Sequence, residues 1–154
     1  MNMQHQVPLT RTLEDVVRDG VARAIAVVGL AGVALIHVLD APGTFQDAAY
    51  KGWLYVALIA GCLVTAAALV RGGDRRAWLA AILLPAGAML GYVASRTVGL
   101  PAGADDIGNW SEPLGIASLF VEGTLVALGM CMLLEQAGSK EPVVRVRALL
   151  GGDA

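Results

Sequence analysis

The sequence predicts an all-α polytopic membrane protein, an antiparallel four-helix transmembrane bundle with both termini in the cytoplasm. Three observations lead there. Hydrophobic residues make up 56% of the 154 residues, and charged residues only 16%, well below the roughly 25% usual for soluble domains. Four apolar runs each come close to the ~20 residues that cross a bilayer. No amphipathic helix remains to cover them as the core of a water-soluble fold.

The first run, "AIAVVGLAGVALIHVL", occupies 24–39, and the second, "WLYVALIAGCLVTAAALV", occupies 53–70 without a charge. The third, "AWLAAILLPAGAMLGYVAS", covers 77–95, and the fourth, "PLGIASLFVEGTLVALGMCMLL", covers 113–134 with Glu122 as its single charge. Segment 1–20 reads as a cytoplasmic N-terminal stretch, 21–135 as the transmembrane domain and 136–154 as a cytoplasmic tail. The polar head mixes Glu14, Asp15 and Asp19 with arginines, and no small-residue cleavage site follows "IHVLDAPG". An uncleaved first helix is the expectation.

Orientation follows from the placement of Lys and Arg. Arg11, Arg18 and Arg23 precede the first run, Arg71, Arg75 and Arg76 lie between the second and third, and Lys140, Arg145 and Arg147 follow the fourth. The opposite side holds Lys51 and Arg96. The asymmetry places both termini inside and predicts a multi-pass protein of the inner (plasma) membrane. The net charge of −2 excludes a nucleic-acid partner, which needs a basic stripe. The bilayer is the first expected partner, with a larger membrane complex or a homo-oligomer as further ones.

Punctuation around the runs sets the expected ends. "TLED" at 12–15 and "TFQD" at 44–47 have capping-box form, so the first helix is expected to begin at the former, in the cytoplasm, and the second at the latter, outside the membrane. "RGGDRR" is a tight basic turn, and "RTVGLPAGADDIGNWSEP" is the one long loop. Trp53, Tyr55 and Trp110 suit the outer interface and Trp78 the inner one. Cys62 and Cys131 sit inside apolar runs and read as small core residues. The tail is expected to rest on anionic headgroups.

Helices in lipid associate through small residues and polar contacts. Gly87, Gly91 and Ser95 give the third helix a small-residue face, Gly115, Ser118, Glu122 and Gly129 do so on the fourth, and Gly61, Thr65 and Ala68 on the second. Pro85 removes a backbone donor inside the third helix, which predicts a kink.

The chemistry concentrates near one end. Helical side chains lean toward their own N-terminus, so Arg96 points back into the membrane while Glu122, roughly 12 Å below the start of the fourth helix, leans outward. An ionisable group at that depth needs a partner, a proton or water. Arg96 is the expected partner of Glu122 and His37 the second candidate. Tyr92 lies one turn from Arg96, Asp40 and Glu112 sit slightly higher, and the pair of aspartates at 105–106 reads as solvated loop. His37 and Glu122 are also weak candidates for a metal.

Several chemistries find no support. A bis-histidine haem lacks its second intramembrane histidine, because His5 lies in the N-terminal stretch. There is no CxxC, no Walker spacing and no nucleophile elbow, so neither a cofactor nor a catalytic residue is assigned.

The terminal histidine of the first run, "SRTVGLPAG", "EPLG" and "VEG" together resemble an uncharacterised group of small four-helix integral membrane proteins of actinobacteria-like, GC-rich genomes, with an SRTxGLPxG word. The resemblance covers most of residues 20–135. It implies a shared site around His37, Arg96, Glu112 and Glu122, and it brings no activity with it. Three functions compete. The leading expectation is a non-enzymatic subunit or scaffold with an outward-facing polar cluster. The alternatives are an oligomeric proton- or cation-coupled transporter using Glu122, and an extracytoplasmic metal- or ligand-binding protein.

Overall fold

A computed structural model describes residues 13–101 and 106–138. The described residues form four helices: α1 (Leu13–Asp47), α2 (Ala49–Arg71), α3 (Arg75–Thr97) and α4 (Pro113–Gly138). All four are long and apolar enough to cross a membrane. The chain is a small multi-pass membrane protein. Consecutive helices pack side by side, α1 closes the ring against α4, α1 and α3 touch lightly across the diagonal, and α2 and α4 lie apart.

Burial follows one stripe per helix. On α1 the buried residues are Ala22, Ala26, Leu30, Val33, Ala34, His37 and Thr44. On α4 they are Ser118, Glu122, Leu125, Gly129 and Met132, alternating steps of four and three. The remaining faces expose large apolar side chains such as Val28, Val64, Leu90 and Phe120, as lipid contact requires.

The core occupies one end of the bundle. Ala26, Leu30, Val33, Leu69, Trp78, Ala81, Leu125 and Met132 form it, and glycines let the helices approach. A Cβ on Gly29 would lie 2.8 Å from Leu125 Cδ2, and one on Gly129 would lie 2.5 Å from Ile82 Cγ1. The "RGGD" turn closes this end. The Gly73 N–H caps the Ala68 carbonyl and the Asp74 side chain accepts from the Ala77 N–H. Gly73 has φ 61°, a left-handed conformation that favours glycine.

Several expectations need correction here. "TFQD" does not start α2. It forms the last turn of α1, which runs through Pro42. The Thr44 hydroxyl donates back to Asp40, one turn earlier, and Ala48 opens α2 without a side-chain cap. Residues 13–20 are helical, in keeping with a first helix that begins at the "TLED" pattern, while Thr12 and the tail from residue 139 lie outside the described residues. Trp78 is not an interfacial anchor, since it is 0% exposed. Cys62 is buried but Cys131 is exposed, because it falls beside the buried stripe of α4 rather than on it. Pro85 is buried within α3, and a helix can kink at a proline without being interrupted.

The close glycine contacts generate a test. Gly129→Val wedges α3 from α4 and is expected to cost about 1–3 kcal/mol, as overpacking does, read as a lower melting temperature in detergent. Gly123→Val, on a helix face with nothing within 4 Å of the added Cβ, is expected to leave the melting temperature unchanged.

Candidate functional site

The opposite end of the bundle is open. There, the last three turns of α1, the start of α2, the end of α3 and the start of α4 enclose a cavity of about 540 Å³. Its upper rim is polar. α3 ends where Gly99 takes φ 77° and donates, as Val98 does, to the Ala94 carbonyl. Pro101 then prevents the helix from continuing. The chain returns beneath itself: the Gly108 N–H donates to the Arg96 carbonyl, and the Tyr50 hydroxyl donates to the Pro101 carbonyl at 2.7 Å. α4 starts at Pro113, and the Glu112 carbonyl accepts the first helical bond, from Ile116 N–H.

Arg96 is the hub of this rim. It is 7% exposed, and its Nη1 lies 2.7 Å from Asp106 Oδ1 while Nη2 pairs with Glu112 Oε2. Its Cζ stands 4.8 Å from the centroid of the Tyr92 ring, a cation–π arrangement. Tyr92 is edge-on to Trp110 at 6.0 Å and packs on Gly115, where any Cβ would collide with the ring. Lys51, 8% exposed, reaches Asp106 at 3.4 Å.

Arg96 does not pair with Glu122, contrary to the reading from side-chain direction. Glu112, at the entry to α4, is its carboxylate, and Asp106 is a second one rather than a solvated loop residue. The loop lies close to the end of α3, so the nearer acids satisfy the guanidinium before the deeper one is reached.

Glu122 forms the floor, roughly 13 Å below the start of α4 at 1.5 Å per residue. It is 1% exposed. Its Oε1 accepts from the Ser118 hydroxyl at 2.7 Å and lies 4.0 Å from His37 Nε2. His37 Nδ1 is 2.9 Å from the Val33 carbonyl. A carbonyl only accepts, so Nδ1 carries the proton and Nε2 is the nitrogen presented to Glu122. The imidazole is edge-on to the Tyr55 ring at 4.6 Å, and the Tyr55 hydroxyl donates to Asp40 at 2.9 Å. Thr44 donates to the same carboxylate oxygen.

His37, Tyr92, Arg96, Glu112 and Glu122 therefore all line one cavity, divided between a rim and a floor. Gly87, Gly91, Ser95, Gly115 and Ser118 line it too. Gly87 and Gly91 do not bring helices into contact, since nothing lies within 4 Å of a Cβ built on either. Their small size leaves space. Sequence reasoning missed Lys51, Tyr55 and Asp106 as members. The available signals were the scarcity of cations on that side and the four-residue spacing of Ser118 and Glu122. Among the described residues no three His, Cys, Asp or Glu side chains are placed to hold a metal ion, so His37 and Glu122 stand as a pair.

Comparison with known protein families, curated proteins and solved structures gives no match for this chain.

The Arg96 guanidinium is buried but its carboxylates are about a third exposed, so removing it costs the charge-assisted contacts, about 1.5–3 kcal/mol. Arg96→Gln is expected to lower the melting temperature markedly and to speed amide exchange over residues 106–112. A double-mutant cycle is expected to show coupling between Arg96 and Glu112 and close to none between Arg96 and Glu122.

Proposed function

We propose that the chain is a plasma-membrane protein that binds a small organic molecule from the outer side, in the cavity between its four helices, with His37 and Glu122 as the floor. One observation carries this reading: the cavity of about 540 Å³. It is an open cleft, bordered by exposed residues such as Leu54 and Leu83, and ligand clefts run from roughly 300 to 1,000 Å³. A bundle that served only as a scaffold gains nothing by leaving glycines around such a space. Larger side chains there would add packing on every side.

The wall supports the same reading. Leu54, Leu58, Leu84 and Leu114 supply apolar surface, and a few polar groups converge at the two ends, the composition expected of a small-molecule site. The nine cations on the far side against Lys51 and Arg96 on this side support an outward-facing mouth. The ligand-binding alternative thus gains over the scaffold, and an organic ligand over a metal ion. The same reading extends, as a proposal, to the small membrane proteins that share the SRTxGLPxG word.

Gly91→Leu tests it, because the new side chain enters the cavity without meeting a neighbouring atom at Cβ. It is expected to keep or raise the melting temperature, since leucine favours a helix over glycine by about 1 kcal/mol. Native mass spectrometry after gentle extraction is expected to find a small added mass on the wild type and none on Gly91→Leu. A heteromeric particle with no added mass, formed equally by both proteins, would return the function to a scaffold.

A further inference from the structure

We infer that the ligand is cationic, an amphiphile with an ammonium group that seats at the floor beside Glu122, an inference that rests on the binding role proposed for the cavity. The charges on its wall do not balance. Asp40, Asp47, Asp106, Glu112 and Glu122 line it, against Lys51, Arg96 and the His37 imidazole as the basic side chains. Both cations are already engaged at the rim: Arg96 by Asp106 and Glu112, Lys51 by Asp106. The four undescribed loop residues, 102–105, bring no further Lys or Arg.

The deeper carboxyl groups are held differently. Asp40 receives hydroxyls from Tyr55 and Thr44. Glu122 receives the Ser118 hydroxyl and faces His37 Nε2 at 4.0 Å. Hydroxyl donors orient a carboxylate without cancelling its charge, so, with the His37 imidazole beside Glu122 as the one base among the described residues there, the inner half of the cavity attracts positive charge. An anionic ligand would meet Asp40, whose partners are hydroxyls, and Glu122, which has the His37 imidazole beside it. The Tyr55 ring, on the wall, suits an ammonium group on its way in. The leucines between rim and floor match an apolar body.

The test uses one alkyl chain with three head groups. Octylamine, octanol and octanoate are titrated by calorimetry into the full-length protein in phosphatidylglycerol nanodiscs, with empty nanodiscs as reference. Octylamine is expected to bind about tenfold or more tighter than octanol, as a charge-assisted contact predicts, with octanoate weakest. Glu122→Gln is expected to bring octylamine down to the level of octanol, and Asp40→Asn to reduce its advantage in part. Gly91→Leu is expected to abolish binding of all three. Loss of octylamine binding in phosphatidylethanolamine nanodiscs would assign the ammonium group to a lipid, and its persistence to a free amine. Either result keeps the cationic class. Equal binding of octylamine and octanol to the wild type would overturn the cationic ligand and leave the cavity as a neutral binding site. Binding of none of the three, with no added mass on the extracted protein, would overturn the binding role itself.

Discussion

The ion pairs of Arg96 tie together the parts of this protein that lipid alone would leave free to separate. Apolar helices gain little by leaving lipid for one another, so the end of α3, the loop and the start of α4 need a specific bond. The guanidinium supplies it. It joins α3 to Asp106 in the loop and to Glu112 at the entry of α4, and Lys51 carries the same loop to α2. The Tyr92 ring under the guanidinium also fixes the approach of α4, because it rests on the bare backbone of Gly115. One cation therefore sets where three elements meet, and the cavity is the space left beneath them.

The bundle has two unlike halves because its glycines are used in two unlike ways. Toward the "RGGD" turn, Gly29 and Gly129 receive Leu125 and Ile82, and dispersion across close-packed surfaces holds the helices. Toward the long loop, Gly52 and Gly115 receive Phe45 and Tyr92, but Gly87 and Gly91 receive nothing, and the cavity opens beside them while the rim ion pairs tie the helix ends together. The tight half gives the open half a fixed frame.

The spans were legible because bilayer thickness imposes a length, and four uninterrupted apolar windows meet it. The end of α1 was not. "DAPGTFQD" contains a proline, a glycine and a capping pattern, all of which signal a break, yet Thr44 bonds back to Asp40 and Tyr55 reaches the same carboxylate from α2. Tertiary contacts overrode local signals there. The partner of Arg96 was not legible either, because helix geometry gives direction and not which of two acids the loop brings nearer. Gly87 and Gly91 show a deeper ambiguity. A four-residue spacing of small side chains looks the same whether a neighbouring helix fills the groove or nothing does, so the sequence pointed to the right residues with the opposite purpose.

His37 and Glu122 sit where these two halves join. His37 spends Nδ1 on the Val33 carbonyl of its own helix, which fixes the ring and leaves Nε2 toward Glu122 on α4. Ser118 fixes the carboxyl from the other side, one turn away. The two groups stand on α1 and α4, just above the layer where Gly29 packs on Leu125. A proton or an ammonium group arriving at the floor meets imidazole and carboxyl together, and any change in their separation acts on the packing of those two helices. The floor of the cavity is thus also a joint of the bundle, where a buried polar contact joins α1 to α4.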